Sequence, residues 1–417
     1  MSDARSLLLQ AKWVAPMDRP ILRDGGALIE SGRIVGVDAA NSLRAQHPHA
    51  EVIDYPRSIL MPGLVNAHVH LELSDCDCGP PPTGGFAGWL IGMLRRTRIT
   101  PEEMAEKVTR AISLGVAQCG RFGVTCVGDI SRQVDLSRPL LRDARLRVVS
   151  FGEIMAMAQR RVLLEERLAL ATDRRYENDH LRIGLTPHAP YSVEIDAYRR
   201  CLEVARLQQL PLATHLAETE HEATFLANNS GPFRDLWDAW LTWDDHVPTF
   251  SGGPIRLAKQ IGLLDYPTLL AHVNYCDDAE LDLLAAGKAS VVYCPRTHAY
   301  FGHPPHRWRE MLARGVNVAV GTDSCASSRD LNLVEDLRLL RKLAPAVDVQ
   351  SLWQMATIRA AKAIRMESDV GTISAGKFAD IISFEITSDS PLEEILREDC
   401  APHAVYFQGE QCPSLGV

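Results

Sequence analysis

The sequence contains no run of about 18 consecutive apolar residues, so no segment reads as a membrane-spanning helix. It has no GxGxxG or P-loop segment behind an early strand. That counts against a doubly wound sheet built to hold a nucleotide phosphate. Basic stripes are absent, and a formal charge of −9 makes a nucleic-acid backbone an unsuitable partner. The ten cysteines include no CxxC pair and are scattered through 417 residues, which suits reduced thiols rather than a disulfide framework. Cys76 and Cys78 form a CxC in a Gly/Pro-rich stretch, where a loop is favoured over a metal site. The apolar run of residues 6–10 is too short for a signal-peptide core, and Gln10 and Lys12 interrupt it. A cytoplasmic protein is therefore expected.

What is present suits an ordinary soluble globular protein: 46% of residues are hydrophobic and 23% charged. Both ends read as β-structure. Residues 27–30 and 33–37 flank Ser31-Gly32 as a hairpin, and residues 371–373, 379–384 and 403–407 form a second turn-punctuated set. The middle alternates apolar runs (146–151, 181–186, 212–215, Thr268–His272, 290–294, 316–321) with amphipathic stretches (102–119, Ile195–Gln208, 278–286, 331–343). Repeated β-α alternation predicts a parallel sheet. The expected fold is α/β: a (β/α)8 TIM-like barrel over residues 58–369, with a small composite β-sandwich domain from residues 1–57 and 370–417.

The polar residues that stand out follow the strand runs. His68-Val69-His70 comes after the apolar segment 59–67, and residues two apart in a strand point to one side, so both imidazoles can serve one metal. Alone, an HxH is equally consistent with two hydrogen-bonded core histidines. But His215 ends the run 212–214, with Glu218 three residues on; His272 ends another; and Asp323 follows 316–321, where Gly321 is expected to allow a tight exit. Four histidines and an aspartate at successive strand ends converge only in a closed barrel, and burying them without a shared partner is costly.

The order of these residues resembles the amidohydrolase superfamily over nearly the whole chain. Pro62-Gly63-Leu64-Val65-Asn66-Ala67-His68-Val69-His70 is similar to its first-strand signature, and residues 371–380 are similar to its return into the composite β-domain. The resemblance implies that His68, His70, His215 and Asp323 hold a divalent ion. It also implies that Asp323 and His272 belong to the catalytic set, with His272 holding the attacking water, and that Glu218 shuttles protons. Zinc is the expected ion, although His and Asp also accept iron. At the strand end where binuclear relatives carry a bridging lysine or carboxylate, this chain has Thr186-Pro187-His188-Ala189-Pro190-Tyr191-Ser192. That segment resembles the mononuclear deaminases, and it implies one metal and a substrate contact from His188.

For the substrate, His70-Leu71-Glu72-Leu73-Ser74 and Phe86-Ala87-Gly88-Trp89-Leu90 resemble the aminodeoxyfutalosine deaminases of an alternative menaquinone route. The likeness implies that Glu72 binds ribose hydroxyls or another polar part of the substrate and that Trp89 lines the pocket. Deaminases of S-adenosylhomocysteine and methylthioadenosine carry a glutamate before the corresponding tryptophan, where this chain has Gly88. A guanine-type deaminase and a triazine-type chlorohydrolase use the same metal site and stay open, as does a scaffold that has lost its chemistry. The partner expected is a small heterocycle, and a homodimer is common among relatives. Arg296 or His298 belongs either to a specificity loop or to loop packing, and Glu153 reads as structural or as a further carboxylate of the site.

Overall fold

A computed structural model describes residues 6–82, 85–95, 100–397 and 400–413. Its strands are Ser6–Val14 (β1), Leu22–Glu30 (β2), Arg33–Ala39 (β3), Glu51–Pro62 (β4), Leu64–Val69 (β5), Val124–Ser131 (β6), Arg147–Ile154 (β7) and Leu181–Pro187 (β8). They continue with Leu212–Leu216 (β9), Thr268–His272 (β10), Ser290–Tyr293 (β11), Asn317–Val320 (β12), Ile381–Glu385 (β13), Ala404–Phe407 (β14) and Glu410–Gln411 (β15).

Eight consecutive strands, β5 to β12, form one sheet in chain order, and the pairs along it are parallel. A parallel bridge between Val69 and Asp323 joins its two edges, so the sheet closes nearly into a barrel with helices between the strands. The barrel strands are buried along most of their length, which is why they read as continuous apolar runs rather than as alternation. Among the described residues, no helix is long and apolar enough to cross a membrane.

The chain ends meet in a second, seven-stranded sheet of order β15-β14-β13-β4-β1-β2-β3. The hairpin expected across Ser31-Gly32 is β2-β3. The apolar segment from residue 59 is not one strand. Ile59–Met61 belongs to β4 in this sheet, and the chain passes into the barrel at Gly63, where a Cβ would meet Thr125 Oγ1 at 2.0 Å. Residues 371–373 also differ from the expectation. They join no strand, because the Ile373 N–H goes to the Pro16 carbonyl at 3.1 Å instead of to a ladder partner. The barrel strand β6, with Val124, Thr125 and Val127 behind Gly123, is absent from the expected set, although its β-branched run is visible in the sequence.

A buried ion pair ties the sheets together. Arg147, on β7, donates from Nε to Asp380 Oδ2 (2.6 Å) and from Nη2 to Oδ1 (3.2 Å), with Phe378 against its guanidinium at 3.4 Å. Both charged side chains are almost wholly buried. Removing one partner of such a pair leaves an uncompensated charge, so Asp380→Ala is expected to cost about 3–5 kcal/mol in denaturant unfolding. A loss below about 1 kcal/mol would show that the pair does not hold the sheets together.

Candidate metal centre and active site

The strand ends that carry the polar residues all open on one side of the barrel. Pairing of β9 with β10 sets His215 against Ala271 and Leu216 against His272, and the Val69–Asp323 bridge brings Asp323 beside the His68-Val69-His70 segment. Several of these exits are backbone-strained: Ala217, His272, Val273 and Asp323 all have φ between 51° and 72°. Non-glycine residues in that region persist only where their surroundings hold them, and they cluster at functional sites. Gly321 differs from the expectation in its reason. A Cβ there would lie 2.7 Å from the His68 carbonyl oxygen, so glycine serves a close approach of β12 to the first histidine rather than a turn.

The nitrogens of His68, His70 and His215 converge so that one ligand atom from each lies within 4.8 Å of the others. His70 Nε2 is 3.3 Å from His215 Nε2 and 3.4 Å from Asp323 Oδ1, and Asp323 Oδ1 is 3.8 Å from His68 Nε2. His68 is fully buried, and among the described residues neither of its ring nitrogens has a hydrogen-bond partner. Such an orphaned imidazole is costly unless something else takes the lone pair. His215 Nδ1 faces the His188 carbonyl at 3.1 Å; a carbonyl can only accept, which places the proton on Nδ1 and leaves Nε2 to ligate. Burial, with the neighbouring histidines, holds His68 and His215 well below the ordinary imidazole range, in the neutral form a cation needs. The residues therefore fit a divalent cation. Among the described residues, the Cys76/Cys78 pair is not part of this group.

Glu218 lies next to that centre. Its Oε1 is 3.5 Å from His272 Nε2, and its Oε2 accepts from the Tyr191 hydroxyl at 3.5 Å. Burial, then the nearby Asp323 and Glu222, push its carboxyl well above the usual range, which suits a group that must hold a proton. Burial likewise keeps His272 neutral. The loop carrying Glu218 is fixed by a residue that sequence reasoning missed. Buried Glu222 accepts the backbone N–H groups of Ala217 (2.9 Å), Glu218 (2.6 Å) and Thr219 (3.1 Å). Its spacing from Glu218, one helical turn, was the available signal. Asp129, at the end of the unanticipated β6, was missed too; it accepts the Leu71 N–H at 2.9 Å and so anchors the residue after His70.

These groups open into a cavity of ≈ 230 Å³ that also includes Glu72, Trp89, Glu153 and His188. Glu72 Oε1 accepts the Gln133 N–H at 2.8 Å, and burial pushes its carboxyl up to about 8. Trp89 donates from Nε1 to the Ala326 carbonyl at 3.3 Å and packs on Phe86 and Phe301. His188 Nδ1 is 2.7 Å from Ser192 Oγ, whose hydroxyl donates to the Ala189 carbonyl. Part of the wall comes from Trp237 and Trp240, in and just after the helix Pro232–Ala239, which the sequence reading did not address. Trp237 Nε1 donates to the Tyr191 carbonyl at 2.8 Å, and Phe233 stacks on the Tyr191 ring at 4.0 Å; both hold the tyrosine against Glu218. Arg296 does not reach the cavity lining. It pairs with Asp330 (2.7 Å) and Asp336 (3.0 Å), and His298 Nε2 meets the Pro304 carbonyl at 2.9 Å, so this segment serves loop packing.

Comparison with known proteins follows the same outline. A family model described as the amidohydrolase family matches residues 59–412. The 5-methylthioadenosine/S-adenosylhomocysteine deaminase of Moorella thermoacetica is 28% identical over 392 residues, covering 90% of this chain and 85% of that protein. The aminodeoxyfutalosine deaminase of Deinococcus radiodurans is 28% identical over 347 residues, 80% of this chain and 79% of that one. Among solved structures, an adenosine deaminase from Xanthomonas campestris with bound zinc superposes with a TM-score of 0.81 at 23% identity, covering 98% of this chain and 92% of that one.

Proposed function

The chain belongs to the amidohydrolase family, and on that footing we propose that it is a hydrolytic deaminase releasing ammonia from the adenine-like ring of a nucleoside, with one zinc ion held by His68, His70, His215 and Asp323. The observation that carries this reading is the placement of Glu218 Oε1 3.5 Å from His272 Nε2 beside the convergent histidines, in one cavity. Curated relatives that deaminate adenine nucleosides support it.

Bound there, the ion would supply Lewis acidity that brings the pKa of water towards neutrality. This chain's own groups do the rest. Glu218 takes one proton from the attacking water and delivers it to a ring nitrogen as the C–O bond forms; it then takes the second proton from the new hydroxyl and gives it to the amine, which leaves as ammonia as the C–N bond breaks. His272 holds the water by a hydrogen bond from its ring. Tyr191, donating to Glu218 Oε2, keeps the other carboxylate oxygen aimed at the reacting atoms. His188 and Trp89 orient the ring, and the aromatic wall excludes water from it.

Our finer reading of the substrate is 6-amino-6-deoxyfutalosine. It rests on the His70-Leu71-Glu72-Leu73-Ser74 and Gly88-Trp89 segments and on the similarity to the Deinococcus radiodurans deaminase. A second reading, S-adenosylhomocysteine or methylthioadenosine, is favoured by the Moorella thermoacetica relative. An ammonia-release screen over aminodeoxyfutalosine, S-adenosylhomocysteine, methylthioadenosine, adenosine, guanine and 8-oxoguanine separates them. We expect aminodeoxyfutalosine to give the highest kcat/KM. Turnover confined to guanine and 8-oxoguanine would sink the adenine-nucleoside assignment.

A further inference from the structure

Glu153, the penultimate residue of β7, is a carboxylate of the cavity that the steps above leave unused. Its side chain is 9% exposed, yet among the described residues no N–H or O–H group donates a hydrogen bond to it. Its nearest basic atom is His188 Nε2, 4.0 Å from Oε2 and too far for a hydrogen bond. The other ring nitrogen of His188 already pairs with Ser192 Oγ, so Nε2 and Glu153 Oε2 both face the cavity with their bonding capacity unspent. A carboxylate this buried is costly unless a donor meets it when the site is filled. Glu72, the carboxylate that sequence reasoning assigned to the ribose, is differently placed: one of its oxygens is committed to the Gln133 N–H and it forms part of the wall.

We propose that Glu153 is a specificity-determining residue, its carboxylate accepting a hydrogen bond from a hydroxyl of the substrate's sugar in the gap it shares with His188. This rests on the nucleoside deaminase reading. The ligand class follows from the chemistry: a carboxylate oxygen on the cavity wall with no donor of its own among the described residues suits a small donor group of the substrate, and a sugar hydroxyl can give its hydrogen to Glu153 Oε2. A site built to bond a hydroxyl rejects analogues lacking it strongly, because its own polar groups are then left unpaired.

The test compares the best substrate of the screen with its 2′-deoxy and 3′-deoxy analogues, in the parent protein and in Glu153→Ala. In the parent, one of the two analogues is expected to lose on the order of 10²-fold in kcat/KM. In Glu153→Ala the hydroxylated substrate falls by roughly that factor, while the discriminated analogue stays within about threefold of its parent value. Glu153→Gln, which keeps the shape and loses the charge, is expected to fall between the two. It also supplies the comparison if the alanine variant does not accumulate. Equal losses on substrate and analogue would assign Glu153 to the scaffold and overturn the proposal. So would discrimination that persists in Glu153→Ala but disappears in Glu72→Gln. A parent protein that deaminates no nucleoside sinks the functional reading itself, a result visible before any variant is made.

Discussion

Glu218→Gln is expected to yield a folded protein that keeps its metal and loses on the order of 10³-fold in turnover. The substitution keeps the side chain's shape, the distance to His272 and the capacity to accept from Tyr191. What it removes is the only property the mechanism asks of Glu218, the ability to take up and give back a proton. A 10³-fold loss corresponds to about 4 kcal/mol of transition-state stabilisation. Because Glu218 is neither one of the convergent histidines nor the Asp323 carboxylate beside them, metal content measured on the purified variant should equal that of the parent. The loss should appear in kcat with little change in KM, since the interaction is made to a proton in flight and not to the resting substrate. Turnover equal to the parent's would remove Glu218 from the chemistry.

Stripping the metal should abolish turnover and lower stability together. Dialysis against a strong chelator, followed by activity and melting measurements, is expected to show complete loss of ammonia release. The melting temperature should fall by several degrees, and added zinc should restore both. The stability change follows from linkage: an ion bound only by the folded state at about 1,000 times its Kd contributes about 4 kcal/mol. Without the ion, His68 stays fully buried, with no hydrogen-bond partner for either ring nitrogen among the described residues. His68→Ala should reproduce the loss of metal. A protein that purifies without stoichiometric metal, and whose activity survives His68→Ala, would revive the scaffold reading.

The position of the candidate site residues was legible because each follows a strand run directly. His215, His272 and Asp323 stand at the ends of apolar segments, and the HxH spacing alone implies two imidazoles on one side. Helix Ile195–Gln208 and strand Thr268–His272 were likewise bounded by their own local patterns. Local pattern failed where non-local pairing decides the conformation. Residues 371–373 look like a strand but give the Ile373 N–H to Pro16, more than 350 positions away. Ile59–Met61 reads as one run with Leu64–Val69 but belongs to the other sheet.

The metal centre shows the division most clearly. Local sequence dictates which side chains end the strand runs as candidate ligands and which carboxylate follows them, because side-chain chemistry and strand period are local properties. Tertiary structure alone decided that the Val69–Asp323 bridge closes the barrel and brings Asp323 within 3.4 Å of His70. It alone decided that Arg296 is spent on Asp330 and Asp336 and that Glu222 clamps the Glu218 loop. It also left Glu153 on the cavity wall with no donor among the described residues. Whether a charged side chain is satisfied depends on partners brought in from distant parts of the chain, and no local pattern records them.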